Sequence, residues 1–212
     1  VGEFALEGRF TSAAPYGNGH INDTYKVAQG VKGVPRHYIL QRINHDVFRD
    51  PPTLMDNVVR VTEHIRAKIR AQGNGHAERE VLNVVPTHGG TSFHRDAKGN
   101  YWRVYDFIED AQAVDTPDSD DQVFQAARTF GAFQNMLADL PAPPLRDTIP
   151  DFHNGPKRFK TFQVALEADA HNRAAEARGE IDFLLNQSHL FELLPGQVAA
   201  GTIPLRTTHT AT

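Results

Sequence analysis

The segment Gly17-Asn18-Gly19-His20-Ile21-Asn22-Asp23 is the stretch of this chain best suited to chemistry. Glycines in a turn between strands leave backbone N–H groups unshielded by a Cβ, so phosphate oxygens can approach them. The competing reading is a tight hairpin turn and nothing more. Further along, the strand-like run 37–44 carries Gln41 and Arg42. In kinase-type sites a cationic residue on the third strand contacts the α/β-phosphates and pairs with an acid on the next helix. Arg42 is the candidate cation and Glu63 the candidate acid. A strand-end surface charge is the commoner fate of a lone Arg. Gln41 is expected on the opposite face of the strand, unable to hold the same position. The run Tyr105-Asp106-Phe107-Ile108-Glu109-Asp110 closes the last strand-like segment. Its backbone at Phe107, Ile108 and Glu109 could hold adenine as a hinge. By position alone it could equally be a plain strand terminus.

Other chemistries find no support. Neither a Walker A pattern nor a dinucleotide-binding Gly-x-Gly-x-x-Gly occurs. The 11 histidines are scattered and form no His-x-x-x-His or His-Glu-x-x-His pair. There is no cysteine, which excludes disulfides, thiolate metal sites and thiol nucleophiles, and which suits a reducing compartment. No Gly-x-Ser-x-Gly elbow exists, and no Cys/Ser-x-Pro-x-Arg context for a formylglycine sulfatase. A formal net charge of −4 argues against a nucleic-acid partner. No apolar run reaches the roughly 18 residues of a membrane span, so no membrane partner is expected. The first residue is Val1, without a signal-peptide pattern, although a removed export signal would leave the same start.

The elements that must position these residues follow from hydrophobic period and breakers. Runs 25–28 and 37–44 read as strands around a Gly/Pro-bearing turn at 29–35. Asp50 as N-cap and Pro51 at the first helical position open a helix over 51–72, with Leu54, Val58, Val61, Ile65 and Ile69 on one face. Gly73-Asn74-Gly75 ends it. Runs 81–86 and 101–108 read as two further strands. Ser119 with Gln122 three residues on predicts a helix start, with Val123, Ala127, Phe130 and Leu137 toward a core. Prolines 141, 143, 144 and 150 impose an irregular stretch. Helices follow over 156–168, 173–186 and 189–194. The pattern predicts an α+β chain, with a sheet-rich lobe over 1–111 and a helical lobe over 112–212.

Several stretches together resemble the N-acetylhexosamine 1-kinases of the aminoglycoside-phosphotransferase-like (protein-kinase-like) superfamily. They are Tyr16-Gly17-Asn18-Gly19-His20-Ile21-Asn22-Asp23-Thr24-Tyr25, Tyr38-Ile39-Leu40-Gln41-Arg42-Ile43-Asn44, Asp46-Val47-Phe48, Leu54-Met55-Asp56-Asn57, Ile149-Pro150-Asp151-Phe152-His153-Asn154 and Glu180-Ile181-Asp182-Phe183. The resemblance implies a two-lobed protein-kinase-like fold. Its N-terminal lobe would be a five-stranded antiparallel sheet with one helix, followed by an incomplete helical lobe. It implies transfer of the ATP γ-phosphate, with Mg²⁺, to the anomeric hydroxyl of N-acetylglucosamine or N-acetylgalactosamine in the cytoplasm. Gly17, Asn18, Gly19, Arg42, Glu63, Phe107, Ile108 and Glu109 would hold the nucleotide, and His20, Asn22 and Asp23 the sugar.

The resemblance also implies a Thr-His-Asn-Asp-Thr catalytic segment and a later metal-binding Asp. This chain ends Thr207-Thr208-His209-Thr210-Ala211-Thr212. Thr208, His209 and Thr212 match, but Ala211 stands where the Asp base is expected and Thr210 where Asn is expected. No catalytic or metal-binding residue of the chain is therefore assigned, and the fragment is expected to be inactive alone. Kinases of another small alcohol (aminoglycoside, choline or homoserine) and a non-catalytic nucleotide-binding remnant are the alternatives.

Overall fold

A computed structural model of the chain describes residues 1–73, 76–112, 114 and 116–204. It divides into a compact unit over Val1–Thr148 and a second unit beginning at Ile149. The expected boundary at 111/112 thus falls inside the first unit. The physical reason lies in the packing of the helix that follows it, described below.

The first unit is built on a five-stranded antiparallel sheet in the order β1-β2-β3-β5-β4. Its strands are β1 (Arg9–Pro15), β2 (Asp23–Val31), β3 (Val34–Ile43), β4 (His94–Arg95) and β5 (Tyr101–Asp106). The β2–β3 turn is shorter than the 29–35 reversal read from the sequence. Lys32 and Gly33 form the whole turn, with φ of 50° and 85°. Two successive positive φ values give the twist that suits a two-residue hairpin, and Gly33 adopts its value without strain. Gly30 and Pro35 then sit paired within the ladder. The expected strand at 81–86 is a single bridge, Val84 to Tyr105, and the short β4 takes the sheet edge instead.

Helix α1 (Pro51–Ala71) starts as the sequence predicts. Asp50 caps it, accepting from the Thr53 N–H at 3.1 Å and its hydroxyl at 2.6 Å. The expected apolar face is buried: Leu54, Val58, Val61, Ile65 and Ile69. Gly73 follows in a left-handed conformation, while Asn74 and Gly75 lie outside the described residues. A four-residue helix, α2 (Ala77–Glu80), comes next.

One face of the sheet is a dry core. Phe4, Val27, Tyr38, Leu40, Val85 and Val104 are buried together, with Leu6, Tyr25 and Trp102 packed against them. Each such side chain contributes about 1.5–3 kcal/mol of transfer free energy. The N-terminal segment covers this face, with the Ala5 N–H donating to the Pro86 carbonyl at 2.9 Å.

Helix α3 (Asp120–Met136) begins at Ser119 as expected, which caps the Gln122 N–H. Its C-terminal turn joins the first unit. Leu137, Phe133 and Met136 pack with Val61, Ile65 and Ile69 of α1. Val123 and Phe130, expected in a core, are exposed. The proline-bearing stretch after α3 is tied to α1 by Asn57, which donates to the Arg146 carbonyl at 2.7 Å and accepts its N–H at 3.2 Å. These ties explain why the division falls after Thr148.

The second unit holds α4 (Gly155–Ala168), α5 (Arg178–Asn186) and α6 (Leu190–Ala199). Asn154 caps α4 through the Lys157 N–H at 3.0 Å. Helix α5 starts five residues later than the pattern suggests. Asn172 takes a left-handed conformation, and Asp169 captures the Arg173 and Ala174 N–H groups. That side-chain competition replaces helical bonds. Helices α4 and α6 meet through Phe159 and Phe191, with ring centroids 4.8 Å apart. Only Ile181 is fully buried among the described residues of this unit.

Candidate functional site

Strand alternation sorts the expected site residues onto two faces. Gln41 pairs with Arg103 across β3 and β5, and Arg103 reaches Met55 of α1. This is the α1 face. Arg42 pairs with Trp102, which packs on the dry core. Arg42 is therefore on the other face.

Arg42 donates from Nε to Asp23 at 2.6 Å, and its side chain is 45% exposed. Glu63 is 65% exposed and accepts from Arg66, one helical turn on, at 2.9 Å. The expected Arg42–Glu63 pair is not formed. The physical reason is parity: α1 packs on the face that Gln41 occupies, so Arg42 is turned from the helix. Gln41 lies on the face opposite Arg42, as expected. Gln41, not Arg42, shares the helix-covered face of β3, with Ile39 and Ile43.

The Gly-rich loop joins β1 to β2. The Tyr16 N–H donates to the Thr24 carbonyl at 2.9 Å and closes it. The N–H groups of Gly17, Asn18 and Gly19 make no hydrogen bond among the described residues. Gly17 has φ 80°, and a Cβ at Gly17 or Gly19 would touch nothing within 4 Å. The bend is open and exposed, with backbone donors available to an anion. His20 is exposed on the same loop. Asn22 is buried, and its Oδ1 accepts the Asn44 N–H at 3.0 Å, which fastens the loop to the end of β3. Asp23 is held by Arg42. The structure thus gives Asn22 and Asp23 local structural partners, while the side chains of Asn18 and His20 are exposed and make no hydrogen bond among the described residues.

The segment after β5 joins the loop on the α1 face. The Phe107 ring stands edge-on to Tyr16 at 5.5 Å and to His37 at 5.9 Å. Lys26, two residues past Thr24 on β2, places Nζ 3.8 Å from the centre of the Phe107 ring. Glu109 meets His37 Nδ1 at 2.6 Å. The Phe107 N–H donates to the His37 carbonyl at 3.2 Å. The N–H groups of Ile108 and Glu109 make no hydrogen bond among the described residues.

Arg103 is fully buried at the centre of this face. Its Nε donates to Gln41 Oε1 at 3.0 Å, and Gln41 Nε2 donates to Thr24 Oγ1 at 2.9 Å. Burial pushes the Arg103 guanidinium down from its ordinary value, with the nearby Tyr105 opposing the shift. Burial pushes the Tyr105 hydroxyl up, with Arg103 opposing.

The structure therefore brings Tyr16, at the start of the Gly17–Gly19 bend, and Phe107 and Glu109, which flank Ile108, to one side with Lys26, Gln41 and Arg103. It leaves Arg42, Asp23 and Glu63 out. Sequence reasoning missed Lys26 and Arg103. Strand parity carried through the pairing register would have found both. Ala211 and His209 lie outside the described residues. Among those described, no group of three or more His, Asp or Glu is arranged to hold a metal. No described helix is long and apolar enough to cross a membrane. A scan against models of known protein families returns no match.

Proposed function

We propose that the first unit binds ATP–Mg²⁺ and that the chain is a phosphotransferase acting on the anomeric hydroxyl of N-acetylhexosamines. One observation carries the reading. Lys26 and the Phe107–Glu109 segment lie together on the α1 face of an antiparallel sheet beside Tyr16, which leads directly into the open Gly17–Gly19 backbone. Backbone donors and a cation are what a triphosphate needs, and Mg²⁺ would travel with it. An aromatic ring beside unpaired backbone N–H groups suits a purine. The acceptor rests on the resemblance of the loop sequence, which assigns His20, Asn22 and Asp23 to the sugar, and of these His20 is exposed and makes no hydrogen bond among the described residues. A cytoplasmic location, where ATP is abundant, belongs to the same proposal.

Phosphoryl transfer also requires a group that orients or deprotonates the acceptor. Ala211 occupies the place that the resemblance gives to that Asp, and a methyl group can do neither. This substitution favours a second reading, a nucleotide-binding module without transfer. Calorimetry with ATP–Mg²⁺, run beside a turnover assay on N-acetylglucosamine, N-acetylgalactosamine, aminoglycosides, choline and homoserine, separates the readings. Binding with turnover of the N-acetylhexosamines supports the kinase. Binding without turnover supports the module. Turnover of another acceptor alone removes the amino-sugar assignment, and no ATP binding removes both readings.

A further inference from the structure

The α1 face of the sheet holds a positive charge that has no counter-ion among the described residues. Arg103 has no exposed surface, and its Nη2 has no hydrogen-bond partner among the described residues. Its Nη1 finds only the Met55 sulfur at 3.9 Å, a weak acceptor. The Tyr105 ring lies 5.0 Å from the guanidinium carbon, and the Tyr105 hydroxyl is likewise buried and unpartnered. A buried cation left unpaired opposes folding. Two adjacent orphaned polar groups on one face point to a function for that charge.

The consequence falls on Gln41. A guanidinium N–H can only donate, so the Gln41 atom facing Arg103 must be the carbonyl oxygen. That fixes the amide. One Gln41 N–H is spent on Thr24, and the second has no partner among the described residues. Gln41 is partly exposed, unlike Arg103. Lys26 stands on the same face of the neighbouring strand. Arg103 therefore presets a neutral donor at the surface and adds a positive potential behind it, in a setting of low dielectric.

We propose that Gln41 donates to a phosphate oxygen of a polyphosphate ligand and that Arg103 is the positioning residue that orients and charges that contact. The inference rests on the nucleotide reading above and names the group that β3 contributes to it. The Gln41→Glu variant tests it. It conserves size and sets a carboxylate about where the amide oxygen now lies, against the guanidinium. A purely structural Arg103 gains a partner, so the melting temperature rises. The proposal adds that the affinities for inorganic triphosphate and for ATP–Mg²⁺, read by calorimetry, fall at least tenfold. Arg103→Met conserves length, removes the charge and should lower both affinities without lowering the melting temperature. It decides the matter if Gln41→Glu fails to fold. Wild-type affinity retained in both variants overturns the proposal and leaves the nucleotide reading standing. Triphosphate binding that is lost in the variants, with no wild-type binding of ATP–Mg²⁺, supports the proposal and removes the nucleotide reading. A wild-type chain that binds neither ligand overturns both.

Discussion

The two faces of the sheet obey different rules. One carries Val27, Tyr38, Leu40 and Val104 in a dry core closed by the N-terminal segment. The other, one residue out of phase along the same strands, carries Thr24, Lys26, Gln41, Arg103 and Tyr105. The first face is organised for stability. The second buries a charged group, Arg103, where the polar group buried beside Val27 on the first is the neutral Gln29. In a marginally stable protein, that contrast separates the residues that hold the chain together from those that give it work.

The largest effect should come from the dry face. Leu40→Ala leaves a cavity beside Val27 and Val104 and should cost about 2–5 kcal/mol. Chemical denaturation reads this directly. Arg103→Met, one strand over and on the opposite face, should be neutral or stabilising by about 1–3 kcal/mol, as replacement of buried charges by packed apolar groups often is. If both variants lose comparable stability, the two faces are energetically alike and the contrast fails.

Binding should invert the ranking. Lys26→Met removes a half-buried cation from the interior strand β2 and should leave stability within about 0.5 kcal/mol. It should weaken ATP–Mg²⁺ binding by about tenfold, the worth of one charge-assisted contact of roughly 1.5 kcal/mol. Arg42→Met removes a half-exposed ion pair with Asp23, worth about 0–1 kcal/mol of stability, and should leave nucleotide affinity unchanged. Calorimetry on the pair decides which cation belongs to the ligand. A loss in Arg42→Met with none in Lys26→Met would restore the assignment made from sequence.

Much of the scaffold was legible in the sequence. The Asp50-Pro51 start of α1, its buried stripe and the Ser119 cap of α3 each follow from strong local signals. The strand-like runs at 25–28, 37–44 and 101–108 anticipate β2, β3 and β5, whereas β1 and β4 fell in no such run. His94 and Arg95 carry no β-branched or alternating pattern, and only pairing with β5 makes them a strand. Val81 to Pro86 has the composition of a strand, but the single bridge at Val84 is all the sheet accepts. The site was less legible for a related reason. A type-by-type search favours Arg42, the only cation in the third strand's C-terminal half. Choosing between Gln41 and Arg42 requires knowing which face α1 covers, and that is a long-range fact. Arg103 was hidden further still, since its partners are set by strand register across 62 residues.

The smallest effect lies at the rim of the dry face and concerns acid. Asp96 accepts from the Trp102 indole at 2.9 Å, from the Asn100 side chain at 3.0 Å, and from the Asn100 and Lys98 N–H groups, both at 2.9 Å. These donors, the indole foremost, hold its carboxyl well below the usual carboxylate range. A carboxyl depressed in the folded state stabilises above its unfolded pKa of about 4, and that contribution is lost as pH falls toward the folded value. Thermal denaturation across pH 2 to 7 should show stability declining below about pH 4. Asp50, Asp139 and Asp151 are lowered in the same direction, so each supplies part of the decline. Asp96→Asn removes one part only: it lowers the melting temperature slightly at pH 7 and makes the acid limb shallower. Parallel limbs for variant and wild type would show that Trp102 is held by its apolar contacts alone. The dry face would then owe nothing to its polar rim.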